Sequence, residues 1–171
     1  MASAIGDETR LRLEARHAIL DVIIAYAQAV DTRDWQLYVN CFASRSSSVD
    51  YTSSGGKRGD VETICTWIKS TFRMFSRTQH LISNVRYEFH SEAQCTVKAY
   101  LYNPMMFRFI TFPGVPSFIC GGEYIMELTR SGNTWRIVTL TQDMMYNTVH
   151  FAILQLLAML LICGTTIWRF A

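Results

Sequence analysis

Basic runs are missing from this chain: no block of Lys or Arg is longer than Lys57-Arg58, and 16 basic against 14 acidic side chains leave a net charge of only +2. A phosphate-reading surface is therefore not expected, and nucleic acid is excluded as a partner. Short catalytic signatures are missing too. There is no GxSxG and no HExxH, and Gly55-Gly56-Lys57-Arg58-Gly59 lacks both the spacing and the following Ser/Thr of a phosphate loop. His17, His90 and His150 are scattered, so neither a metal nor a bound cofactor is expected. The cysteines are odd in number, at 41, 65, 95, 120 and 163, with no CxxC pair, which reads as reduced thiols. Charges at Asp7, Glu8, Arg10, Arg12, Glu14 and Arg16 deny the first residues the apolar core of a secretory signal.

What is present is apolar bulk. Half of the 171 residues are hydrophobic, enough for one domain with a core that needs no disulfide or structural metal. Ile19, Val22, Ile23, Tyr26, Ala27 and Val30 recur at helical spacing and predict a long amphipathic helix over residues 8–31. Ile23, Ala27 and Asp31 are spaced by four, which places a carboxylate along the stripe facing the core, where it must be used or satisfied. Asp34 reads as the cap of a second helix carrying Trp35, Tyr38 and Phe42, and Asp60 as the cap of a third carrying Ile64, Trp67, Ile68, Phe72 and Phe75. Between them Val49-Asp50-Tyr51 alternates as a short strand, and Gly55, Gly56 and Gly59 form a turn. After Phe75 the period becomes two, predicting strands over 79–89, 94–103, 117–130 and 134–146. Three helices followed by a run of antiparallel strands make an α+β domain, with helices packed on one face of a curved sheet.

Four stretches in this order, Tyr26-Ala27-x-Ala29-x-Asp31-x-Arg33-Asp34-Trp35, Val49-Asp50-Tyr51, Thr78-Gln79-His80, and Gly122 to Tyr124 with Trp135-Arg136-Ile137, resemble the SnoaL-like group of the nuclear-transport-factor-2 superfamily, especially its scytalone-dehydratase-like branch. The resemblance covers about residues 10–146. It implies a cone-like fold enclosing one apolar cavity, commonly in a homodimer or homotrimer. It also implies dehydratase, cyclase or isomerase chemistry without a cofactor, or a binding or assembly module with no chemistry at all. From the resemblance Asp31 orients an imidazole at His80 that moves the proton, and Tyr51 donates a hydrogen bond to substrate or water. Tyr26, Trp67, Tyr102, Asn103 and Tyr124 are the expected substrate contacts. The tyrosine that the dehydratase branch carries before its helix-end Asp is Val30 here, its second histidine falls on Met105, and its pocket asparagine falls near Tyr124. A more apolar small-molecule substrate, of the terpenoid or alkylated polyketide kind, is expected in place of scytalone.

Strict alternation raises one difficulty. It groups His80 with Ile82 and Asn84, opposite Leu81, Val85, Tyr87 and Phe89, so His80 reaches the cavity only if the strand start faces the pocket or a bulge intervenes. Finally, residues 147–171 form an apolar extension in which Phe151 to Trp168 lacks any Asp, Glu, Lys or Arg. Eighteen residues reach about 27 Å as a helix, near the roughly 30 Å of a hydrocarbon layer. A lid helix, an oligomer contact and a membrane contact through 148–168 all require such apolarity. The expected location is correspondingly cytoplasmic, or facing the cytoplasm from an intracellular membrane.

Overall fold

In the computed structural model, which describes residues 2–108 and 118–149, the chain opens with one long helix, α1 (Ala2–Thr32), whose buried stripe is Ile19, Ile23, Tyr26 and Val30. The helix stops because Arg33 turns left-handed at φ 65°. Asp34 N–H then bonds the Ala29 carbonyl at 2.9 Å, and Arg33 N–H bonds that of Val30 at 3.4 Å. These are the two bonds of a Schellman ending, normally built on glycine. The Asp34 carboxylate accepts from Leu37 N–H at 2.9 Å and starts α2 (Trp35–Asn40), as its spacing predicted.

Two short strands follow, β1 (Ser48–Asp50) and β2 (Arg58–Asp60), so the expected glycine turn ends in a strand that includes Gly59. Asp60 accepts from Thr63 N–H at 2.7 Å and caps α3 (Val61–Thr71), which buries Val61, Ile64, Cys65 and Ile68. Phe72 and Phe75 were expected on this helix. Instead Phe72 opens a single 3₁₀ turn and Phe75 begins β3 (Phe75–Thr78), because Phe75 stacks on Phe107 from a neighbouring strand with ring centres 5.1 Å apart.

The remaining strands are β4 (Leu81–Ser91), β5 (Gln94–Phe107), β6 (Phe118–Ser131) and β7 (Thr134–Val149). The sheet order is β2-β1-β7-β6-β5-β3, with β4 also paired to β5. All pairs are antiparallel except β1 with β7, which run parallel through Val49 and Leu140. The helices cover the inner face, where Val49, Val97, Met126, Ile137 and Leu140 are buried with α1 and α3 in one core. This is the α+β architecture predicted from the order of elements, in the cone-like form that the resemblance implies. β7 continues three residues past the expected end at Tyr146, pairing Val149 with Phe118.

One irregularity decides where the inner face of β4 lies. Its register on β5 shifts between Ser83 and Arg86, and Asn84 in that gap has φ 51°. Two β4 residues, Asn84 and Val85, thus face the single Ala99 between Tyr100 and Lys98, a bulge that inserts one residue and reverses the alternation. Ile82 before it and Val85, Tyr87 and Phe89 after it all pack on the core.

Among the described residues no helix is long and apolar enough to cross a membrane. The apolar extension expected as lid or anchor lies, from residue 150 onward, outside the described residues.

Candidate functional site

Asp31 lies in the last turn of α1 and faces the start of the sheet. Its Oδ2 accepts from the His80 backbone N–H at 2.7 Å, and its Oδ1 accepts from the Thr78 hydroxyl at 2.9 Å. The same Oδ1 lies 2.6 Å from His80 Nδ1. One carboxylate thereby fixes both the backbone and the ring of His80, and places the ring proton on Nδ1. The His80 side chain is 3% exposed and that of Asp31 22%. Burial pushes the Asp31 carboxyl up, but the hydrogen bonds and charge of His80, helped by Thr78, outweigh it and hold the group below its ordinary value.

The second end of the imidazole, Nε2, lies 3.0 Å from Asn103 Nδ2. Alternation on β5 turns Leu101, Asn103 and Met105 inward, each at most 5% exposed. The same alternation turns Tyr102 outward, 40% exposed, and its expected place in the pocket is therefore corrected.

His80 and Asn103 open onto a cavity of about 320 Å³, at the small end of ligand pockets. Four further residues anticipated for substrate or chemistry also line it: Tyr26, Tyr51, Trp67 and Tyr124. The rest of the wall is largely apolar, with Val30, Ile68, Phe72, Phe75, Met105, Phe107, Phe118 and Met144. Asp31 does not line the cavity; it stands behind the imidazole.

The Tyr26 and Tyr51 hydroxyls form a short hydrogen bond inside the cavity wall. Burial pushes the Tyr51 phenol up to about 12, although its bond to Tyr26 works in the other direction, and burial raises Tyr26 and Tyr124 well above the usual range. All three are neutral donors near pH 7. Trp67 reaches the cavity from α3 with its ring 6.0 Å from that of Tyr51.

Two supporting residues, Thr78 and Arg33, belong to the stretches that carry the resemblance, which by itself implies no role for them. Thr78 donates to Asp31, and Arg33 donates to the Thr78 hydroxyl at 2.9 Å while its guanidinium stacks over Phe72 at 5.0 Å. Each lies two residues from a member of the pair, and that proximity was the available signal. The four described cysteines are buried and free, and no metal-binding cluster occurs among the described residues.

Among known families, the SnoaL-like domain model matches residues 11–141. No curated protein matches the chain significantly. Solved structures do. A candidate scytalone dehydratase from Novosphingobium aromaticivorans superposes with a TM-score of 0.73 at 17% identity, covering 83% of this chain and 91% of that one. The hexachlorocyclohexane dehydrochlorinase LinA-type3 from Novosphingobium barchaimii gives 0.71 at 19% identity, with 84% and 94% covered. A Kribbella flavida protein gives 0.68 at 18% identity, with 78% and 92% covered. At these identities the likenesses establish the fold. The matched family span takes in α1 from residue 11, α2, α3 and most of the sheet, together with the carboxylate–imidazole pair, and the chain belongs to the SnoaL-like family of the nuclear-transport-factor-2 superfamily.

Proposed function

We propose that the protein is a cofactor-independent lyase or isomerase that moves a proton on a small apolar metabolite of the polyketide or terpenoid kind. The observation that carries this reading is the 2.6 Å contact between Asp31 and His80 Nδ1, with the ring in the wall of an apolar cavity. Asp31 holds the ring in the tautomer that leaves the Nε2 lone pair to take a proton from carbon and return it elsewhere. Tyr51, a neutral phenol held by Tyr26, donates to the substrate oxygen on which negative charge develops. The apolar wall orients the substrate and keeps water from the carbanion-like intermediate. Enolisation, double-bond shift, ring closure and elimination share this first step. Two structural neighbours carry elimination names, a dehydratase and a dehydrochlorinase, which supports the elimination branch.

The outer face of the sheet supports assembly with further copies. Leu81, Tyr102 and Tyr146 are exposed and lie in one row across β4, β5 and β7, with Gly121 between the tyrosines.

The test is deuterium uptake from D₂O by apolar enolisable ketones and β-hydroxy ketones, with no cofactor added, followed by mass spectrometry. Uptake or water loss by the wild type and not by His80→Gln is expected. Ketone binding without exchange above the buffer rate would make the protein a binding module and overturn the proposal.

A further inference from the structure

The inward positions of β5 run Cys95, Val97, Ala99, Leu101, Asn103 and Met105, all buried. Asn103 is the polar exception in an apolar stripe, and a buried amide is costly unless its hydrogen bonds are made. Only half of it is satisfied. Nδ2 meets His80 Nε2 at 3.0 Å, while Oδ1 is buried with no hydrogen-bond partner among the described residues.

Nε2 has a single in-plane site, which holds either a lone pair or a hydrogen. With Nδ1–H directed at Asp31, the neutral ring offers a lone pair, and the Asn103 NH₂ group fills it. Once Nε2 has taken a proton from carbon, leaving the electron pair on the substrate, an NH₂ group returning to the ring would meet another N–H. A half-turn about Cβ–Cγ, a soft and nearly two-fold torsion, exchanges it for the idle Oδ1. The geometry points to Asn103 as a positioning residue for His80, a reversible amide clamp that donates to the neutral ring and accepts from the protonated one, resting on the acid–base reading above. The unpartnered oxygen is then the half used during turnover.

The clamp also acts as a latch. Because the amide occupies the lone pair of the empty site, a substrate C–H reaches Nε2 only by displacing it. The other titratable or charged groups around the ring are Asp31 and, through Thr78, Arg33 from the end of α1, with the phenols of Tyr26, Tyr51 and Tyr124 on the cavity wall. None of them meets Nε2 within hydrogen-bond distance.

The experiment is solution NMR of the full chain carrying ¹⁵N in histidine and asparagine side chains, without substrate. At alkaline pH, where the ring holds one proton, a scalar coupling across the hydrogen bond from Asn103 Nδ2 to His80 Nε2 is expected. At acid pH the coupling should vanish and the Nε2–H signal should become protected from exchange with water. Asn103→Leu should lose that protection. Asn103→Asp, which accepts but cannot donate, should keep the second ring proton at a pH where wild type and Asn103→Leu have lost it. Absence of the coupling, or equal retention of the proton in all three proteins, overturns the clamp. Since no substrate is present, a protein inert toward every ketone that still shows the coupling overturns the proposed function and supports the clamp. With an active substrate, Asn103→Leu should lower kcat about tenfold with KM nearly unchanged, the signature of an interaction used after binding.

Discussion

Arg33 donates to the Thr78 hydroxyl at 2.9 Å, and Thr78 passes its own hydrogen to Asp31 Oδ1. The residue that ends α1 thus secures the orientation of the carboxylate two positions before it, across the gap to β3. Its left-handed backbone, unfavourable for a side chain bearing Cβ by roughly 1–2 kcal/mol, is held in place by these bonds. Thr78→Val should lower kcat about tenfold, the equivalent of one hydrogen bond to a charged group, while Thr78→Ser retains activity. Steady-state kinetics of the two variants check it; equal activity would show that the carboxylate needs no such support.

Removing either half of the proton-transfer pair has a larger effect. Asp31→Asn and His80→Gln should each lower turnover by about 10²–10⁴ with circular dichroism unchanged. Their combination should cost little more than the worse single variant, because the two groups act as one unit. Full additivity in the double variant would contradict a shared role.

The depressed carboxyl of Asp31 also predicts a pH dependence of stability. Its folded value lies below the unfolded one, so the folded state binds fewer protons in that range and the contribution is complete above about pH 4–5. It is lost as pH falls through the folded value. Urea midpoints of wild type and Asp31→Asn should differ at about pH 6 and converge as acidification protonates the carboxyl in the folded state. A constant gap across that range would remove the ionised carboxylate from the stability of the fold.

Asn84 sets the phase of β4. At φ 51° it accepts glycine freely, so Asn84→Gly should leave the thermal midpoint nearly unchanged, whereas Asn84→Val should cost about 1–2 kcal/mol. Deleting Asn84 restores strict alternation and should break the contact between His80 and Asp31, abolishing exchange activity in a protein that still folds. Retained activity in the deletion would show that the imidazole is aimed by some other device.

Gly122 and Gly121 differ in what crowds them. A Cβ on Gly122 would meet the backbone of Asp143 and Met144, while one on Gly121 would meet the ring of the exposed Tyr146. Gly122→Ala should destabilise by about 1–3 kcal/mol, and Gly121→Ala by less, since a surface ring can swing aside. Thermal melts of the two variants make the comparison.

Much of this was legible in the chain. The four-residue spacing of Ile23, Ala27 and Asp31 put the carboxylate on the inward stripe, and the caps at Asp34 and Asp60 fell where short acidic side chains precede apolar runs. The alternation of β4 even exposed a conflict over His80 that either an inward-facing strand start or a bulge would resolve, and a bulge is present. What escaped was tertiary. Nothing local distinguishes Tyr102, which faces out, from Asn103, which faces in, until β5 is paired with its neighbours. Helical periodicity carried Phe72 and Phe75 past the end of α3 because their partner Phe107 lies 32 residues downstream of Phe75. Thr78 and Arg33 drew no role because their value lies in a contact between two chain segments 45 residues apart.

The parallel pairing of β1 with β7 has a consequence for biogenesis. β1 pairs early with β2, but Val49 waits for Leu140, so its other neighbour arrives only when the last of the described strands has been made. Until then the helices shield an open trough of aromatic side chains, the kind of half-made surface that draws chaperones and aggregates. Slow codons within β7 should therefore hurt yield in the cell while leaving the finished molecule the same.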